Sequence, residues 1–224
     1  MGELISNTKA ENLFWLGRYV QRVYIVLHLL RKYRDVMIDE NEGAYHSFCE
    51  KLGITDNYAS SDEFLHNYVY DKENPDSLIS MLTYASNNAT LLREEIKSET
   101  FSYILLSISH IENCAKDADI DALQTVSDYL LAFWGSVDER MFKREPRNMV
   151  KAGKYLEDLD LHVRFDYPHE RILYLVDRLE KHAEKEKVIF NQILLYQLKS
   201  ETLQPDCDKL KVLDILKHLF VVNG

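Results

Sequence analysis

Three charged residues spaced seven and four apart, Glu11, Arg18 and Arg22, are the side chains in this sequence best placed to do chemistry. At 100° per residue they project within about 40° of one another on a helix, flanked by Trp15 on an otherwise apolar cylinder. Charges placed there require partners, because an isolated ion taken out of water is prohibitively costly. The segment after Pro146 supplies them, with Glu157, Asp158 and Asp160. Two arrangements are open. In one, an ion-pair network fixes how the two helices dock. In the other, Arg18, Arg22 and the facing carboxylates line an anion-binding or acid/base cleft, with Arg22 holding a carboxylate and Glu157 moving a proton. The candidate group is Glu11, Arg18, Gln21, Arg22, Lys154, Glu157 and Asp158.

Other spacings carry less. Glu63 and His66 have the E-x-x-H spacing with which di-iron bundles ligate metal from one helix face, but a second such pair is missing, so a surface helix is expected. Asp158 and His162, four apart, read as a hydrogen-bonded pair and not a metal site. Cys114 has no identifiable activating base and reads as a packed thiol. Phosphate-loop, dinucleotide, serine-hydrolase and zincin signatures are absent, and neither metal nor organic cofactor is expected.

The elements that position these residues are all helices. Thr8-x-x-Glu11 reads as a capping box opening a helix to about Met37, with Leu13, Leu16, Val20, Val23, Leu27 and Leu30 on its core face. Phe14, Trp15, Ile25 and Leu29 lie opposite, so this helix should sit centrally. Short helices follow over 44–52, closed by Gly53, and over 61–71, capped by the box Ser60-x-x-Glu63. Pro75 should start a helix, Ser98 cap the next to about Lys116, and 117–121 form an acidic connector. A helix from about Ala122, broken at Gly135, would end before Pro146. Pro146 then opens a helix to Phe165, Pro168 one to about Lys199, and Asp206 caps an amphipathic last one to Phe220, which can dock on its own bundle or, as the alternative, on a second subunit. No stretch alternates with period two. The expectation is all-α: one domain over 1–224, a bundle of eight or nine helices.

The chain has 224 residues and a net charge of −10. That acidity excludes a phosphate-backbone binder, so no nucleic acid is expected. The apolar fraction of 46% suffices for a sizeable core. Cys49, Cys114 and Cys207 are odd in number and far apart, as in a reduced intracellular protein. No signal-peptide pattern and no span of about 18 apolar residues occurs, so cytoplasmic residence is expected. The run Arg178–Lys187 is an exposed face of paired charges.

An internal similarity appears at an offset of 136: Asn12 meets Asn148, Gly17 meets Gly153 and Tyr19 meets Tyr155. Arg18/Lys154, Val20/Leu156 and Gln21/Glu157 are then conservative pairs. A helix-interior glycine costs roughly 1 kcal/mol against alanine, and close approach of two backbones would explain two of them. The pattern suggests a pseudo-repeat of two central helices crossing at Gly17 and Gly153.

The stretch Thr8–Arg22, TKAENLFWLGRYVQR, resembles the opening of the Alpha-E proteins, bacterial helical proteins named for a Glu-Arg pair after a Gly-Arg-Tyr turn. Asn74–Ser77, Asn88-Ala89, Arg93-Glu94 and Asp138–Met141 leading to Gly153–Glu157 agree, so the resemblance covers about residues 4–165 and leaves 166–224 as a diverged helical tail. Where the family has Glu-Arg, this chain has Gln21-Arg22 and Glu157-Asp158; Thr90 and Lys143 stand where Arg is usual. A neutral Gln is no general base. The resemblance implies a companion to ATP-grasp ligases or transglutaminase-like peptidases: a non-catalytic partner or scaffold in peptide ligation or modification. The alternative it leaves is an enzyme acting on peptides or amides at the Arg/carboxylate group.

Overall fold

Ser6, and not Thr8, opens the first helix. Its hydroxyl accepts the Lys9 N–H at 3.3 Å and its carbonyl the Ala10 N–H at 2.9 Å, which leaves Thr8 inside α1 (Asn7–Asp39). The computed structural model describes residues 6–115, 121–186 and 189–221. Of the acidic connector only Asp121 falls among them, and Lys187 of the charge run lies outside them.

Among the described residues there are eleven α-helices, not eight or nine, and no strand beyond one bridge between Phe190 and Phe220. The additional ends have local causes. Leu92 interrupts the helix after α4 (Leu78–Leu91), leaving the single turn α5 (Arg93–Ile96), and Lys97 at φ 67° separates it from α6 (Ser98–Cys114). The helix expected over 168–199 is two, α9 (His169–Ala183) and α10 (Gln192–Glu201). Asn191 ends the interruption by accepting the Ile193 and Leu194 N–H groups at 3.1 and 3.2 Å.

Other boundaries move by a few residues. Ser77 caps α4 through the Ser80 N–H at 3.2 Å, so Pro75 stands in the preceding turn. Asp208 caps α11 (Lys209–Leu219) where Asp206 was expected. Gly135 does not break α7 (Gln124–Arg140), and Pro146 occupies the third position of α8 (Arg144–Arg164), where a missing N–H still costs nothing. Gly53 does close α2 (Ala44–Leu52), left-handed at φ 74°, and Ser60 caps α3 (Ser61–Tyr70) by accepting the Glu63 N–H.

The described residues form two compact units, one drawn from 1–18 and 141–224, the other from 19–140. In the first, α8 is the central element: from Asn148 to Val163 every residue except Lys154 is buried. Beside it Phe14 lies flat on Phe220, ring centroids 3.9 Å apart, with Phe190 edge-on to both. In the second, Phe48, Phe64 and Tyr68 join α2 to α3 in one aromatic cluster. Thr100 and Ser136 share a buried hydrogen bond of 2.7 Å between α6 and α7. Among the described residues no helix is long and apolar enough to cross a membrane.

Candidate functional site

The site is built on two glycines. A Cβ on Gly17 would lie 2.1 Å from the Val150 carbonyl oxygen, and one on Gly153 would lie 2.0 Å from the Phe14 carbonyl oxygen. These are backbone atoms and cannot step aside. The next contacts are Lys154 N for Gly17 and Arg18 N for Gly153. The contact is therefore reciprocal: residues 14 and 18 meet Gly153 as residues 150 and 154 meet Gly17, each set displaced by 136 positions. Only helices without side chains at the crossing can come this close.

One turn from the crossing the charges meet. Arg18 Nε donates to Glu157 Oε2 at 2.7 Å, and Nη2 lies 2.7 Å from the same oxygen. Glu157 is enclosed, its side chain 2% exposed, whereas Arg18 keeps 20%. The guanidinium also lies over the Trp15 indole, 4.8 Å from its centroid, so one cation is held by a carboxylate at its edge and by an aromatic face.

The remaining candidates disperse. Asp158 is answered on its own helix by His162, whose Nδ1 donates to the Asp158 carbonyl at 2.6 Å and stands 3.1 Å from its carboxylate. Asp160 binds Arg164 through Nε at 2.7 Å. Each is thus answered one turn along its own helix, the spacing at which helical side chains are neighbours. Lys154 is half-buried beside the Tyr155 ring. Glu11, half-buried, takes no part in the Arg18 pair. Gln21 and Arg22 belong to the second unit. There Gln21 is 3% exposed with its amide oxygen unpartnered, and Arg22 faces Tyr68, whose phenol burial pushes far up while the guanidinium draws it down. The cation of the central pair is thus Arg18 and not Arg22.

Sequence reasoning missed a second polar string in the first unit. Tyr155 Oη accepts Arg178 Nε at 3.2 Å and Nη2 at 3.0 Å, while its ring stacks on His182. His182 Nδ1 donates to Asn148 Oδ1 at 3.2 Å, and Asn148 Nδ2 donates to Glu186 Oε1 at 3.4 Å. Burial pushes the Glu186 carboxyl up, against the Asn148 hydrogen bond. Its members come from α8, α9 and the turn beyond, and no sequence spacing connects them.

The other candidates have structural employment. Glu63 accepts the Ala59 N–H at 2.7 Å as part of the α3 cap, and His66 is exposed. Among the described residues no three His, Cys, Asp or Glu side chains gather as a metal would require. A recess of about 360 Å³ in the second unit is lined by Tyr58, Asn67, Asp71, Glu73, Asn74 and Asp76. Its polar groups are largely spent on turns: Asp71 accepts the Glu73 N–H, Asn74 the Asp76 N–H, and Asn74 Nδ2 donates to Tyr58 Oη.

Compared with known proteins, residues 6–186 match the model of a family described as a predicted alpha-helical domain with a conserved ER motif. The match runs past residue 165 through α9. No curated protein and no solved structure matches the chain. The two literal Glu-Arg dipeptides here, Glu139-Arg140 and Glu170-Arg171, are exposed. The enclosed Glu and its Arg come instead from two helices, as Glu157 and Arg18.

Proposed function

Since the chain belongs to the Alpha-E family, we propose that it serves as a non-catalytic helical partner in a cytoplasmic, ATP-grasp-associated peptide ligation or modification system. One observation carries this reading: Glu157, the enclosed carboxylate, is committed to Arg18 through two contacts of 2.7 Å. A general base must reach a substrate proton, and a carboxylate engaged and enclosed in this way does not. The pair instead supports a docking role, fixing how α1 and α8 meet.

The reading includes an internal duplication. The helices around Gly17 and Gly153 are taken as two copies of one element, which is supported by the exchange of their contacts under the 136-residue offset. A duplicated active site would have kept its acid in both copies; Gln21 and Glu157 differ at that position.

The test is a paired replacement. A buried ion pair exchanged for apolar residues of similar volume is often neutral or stabilising. The double variant Arg18→Met, Glu157→Leu should fold, should co-elute with a co-expressed ATP-grasp ligase as the wild type does, and should leave that ligase's turnover within about twofold of the wild-type complex. Loss of turnover with fold and co-elution intact would make the pair catalytic and the reading wrong.

A further inference from the structure

Thirteen residues beyond Arg18 on the same helix, a second arginine is in the opposite condition. Arg31 Nη1 donates to the amide oxygen of Gln124, a neutral acceptor, at the start of α7. Its Nε and Nη2 are enclosed and have no hydrogen-bond partner. These two nitrogens form one edge of the guanidinium, the fork whose parallel N–H bonds match the two oxygens of a carboxylate or phosphate. A whole bidentate edge has been withdrawn from water and given no acceptor, and such donors are expensive to leave unmade.

The neighbours share the deficit. Arg34, one turn on, holds Asp121 through Nη2 at 3.0 Å, but its Nε is likewise enclosed and unpartnered. Ser127, one turn beyond Gln124 on α7, is 1% exposed with its hydroxyl unpartnered. Among the described residues the nearby carboxylates are occupied elsewhere: Asp121 and Asp35 by Arg34, and Asp128 by Gln124 Nε2 at 2.9 Å. None reaches the Arg31 edge.

We propose that Arg31, Arg34 and Ser127 form a binding site for an oxyanion, a carboxylate or a phosphate, between α1 and the start of α7. The ligand oxygens accept Arg31 Nε and Nη2 in parallel, with Arg34 Nε and the Ser127 hydroxyl completing the shell. Entry is past Gln124 and Asp121, both exposed, so side chains and not backbone give way. The site shares no residue with the Arg18–Glu157 pair, so its fate does not decide the proposed partner role.

The experiment is a melting series on the full chain in anion-poor buffer, titrated with inorganic phosphate and, separately, with a short peptide carrying either a free or an amidated C-terminus. The expected result is a rise in melting temperature with phosphate, or with the free-acid peptide and not its amide; the responding arm names the source of the oxyanion. Arg31→Met should melt at or above the wild type without anion and bind the responding probe at least tenfold more weakly. Arg31→Lys, which keeps the charge and loses the fork, should also bind more weakly. The proposal is overturned if no arm raises the wild-type melting temperature, if either variant responds as the wild type does, or if Arg31→Met melts lower without anion, which would mean the guanidinium is already satisfied.

Discussion

Arg18 and Arg31 stand on one continuous helix and differ in what faces them. Arg18 meets an enclosed carboxylate and an indole ring; Arg31 meets one neutral amide and leaves a fork of donors unanswered. The residue type is the same and so is the backbone. What separates a structural arginine from an available one is therefore the partner helix, and at Arg18 that partner is held in place by glycine. Completeness of acceptors, more than burial, is the property to read.

The largest expected effect removes the closeness that brings Arg18 its acceptor. Gly153→Ala or Gly17→Ala places a methyl against a backbone carbonyl, and chemical denaturation should report a loss above about 3 kcal/mol, beyond the usual cost of overpacking. A loss below about 1 kcal/mol would show that the helices can part. Arg18→Ala strands Glu157 and should cost about 3 kcal/mol, the lower end for breaking a buried pair because the guanidinium keeps partial contact with water. If it costs no more than Arg31→Ala, the contrast between the two arginines is lost.

Smaller changes sharpen it. Gln21→Met deletes an enclosed acceptor with no donor and should raise stability by about 1 kcal/mol in the same assay. Glu186→Gln tests the end of the Tyr155 string. Burial raises the folded-state value of this carboxyl above its unfolded one, so its stabilising contribution is present below the unfolded value and is lost as pH rises through that window. The variant should flatten that fall and be more stable at neutral pH, by less than about 1 kcal/mol because the group is half-exposed. Identical pH profiles for variant and wild type would count against it.

Much of the fold could be read from residue order because its causes are local. Ser60 needed only Glu63, and Gly53 only its own left-handed turn. The interruption between α9 and α10 was hidden, since the charged stretch before it keeps helical period. It ends where distant residues claim the chain: Asn191 N–H donates to the Leu219 carbonyl at 3.0 Å, and Phe190 meets Phe14 and Phe220. The same limit applied at the site. Glycines at matched positions pointed to a close crossing because only one residue type tolerates it. Spacing offered Glu157, Asp158 and Asp160 alike, and the choice among them depends on side-chain direction and on His162 and Arg164 lying one turn away. Arg31 gave no signal, because its anomaly is an acceptor that α7 does not present.

The stacking of Phe14 on Phe220 sets an order of events during synthesis. A ribosome delivers the opening helix long before the ring that covers it, some two hundred residues later. The stretch 19–140 has its internal contacts available while the remainder is still being translated, so it can fold first, whereas the first turns of α1, up to Arg18, must wait with Phe14 uncovered. Stalling translation shortly before codon 220 should therefore yield a nascent chain whose early residues are cut by protease while the middle resists.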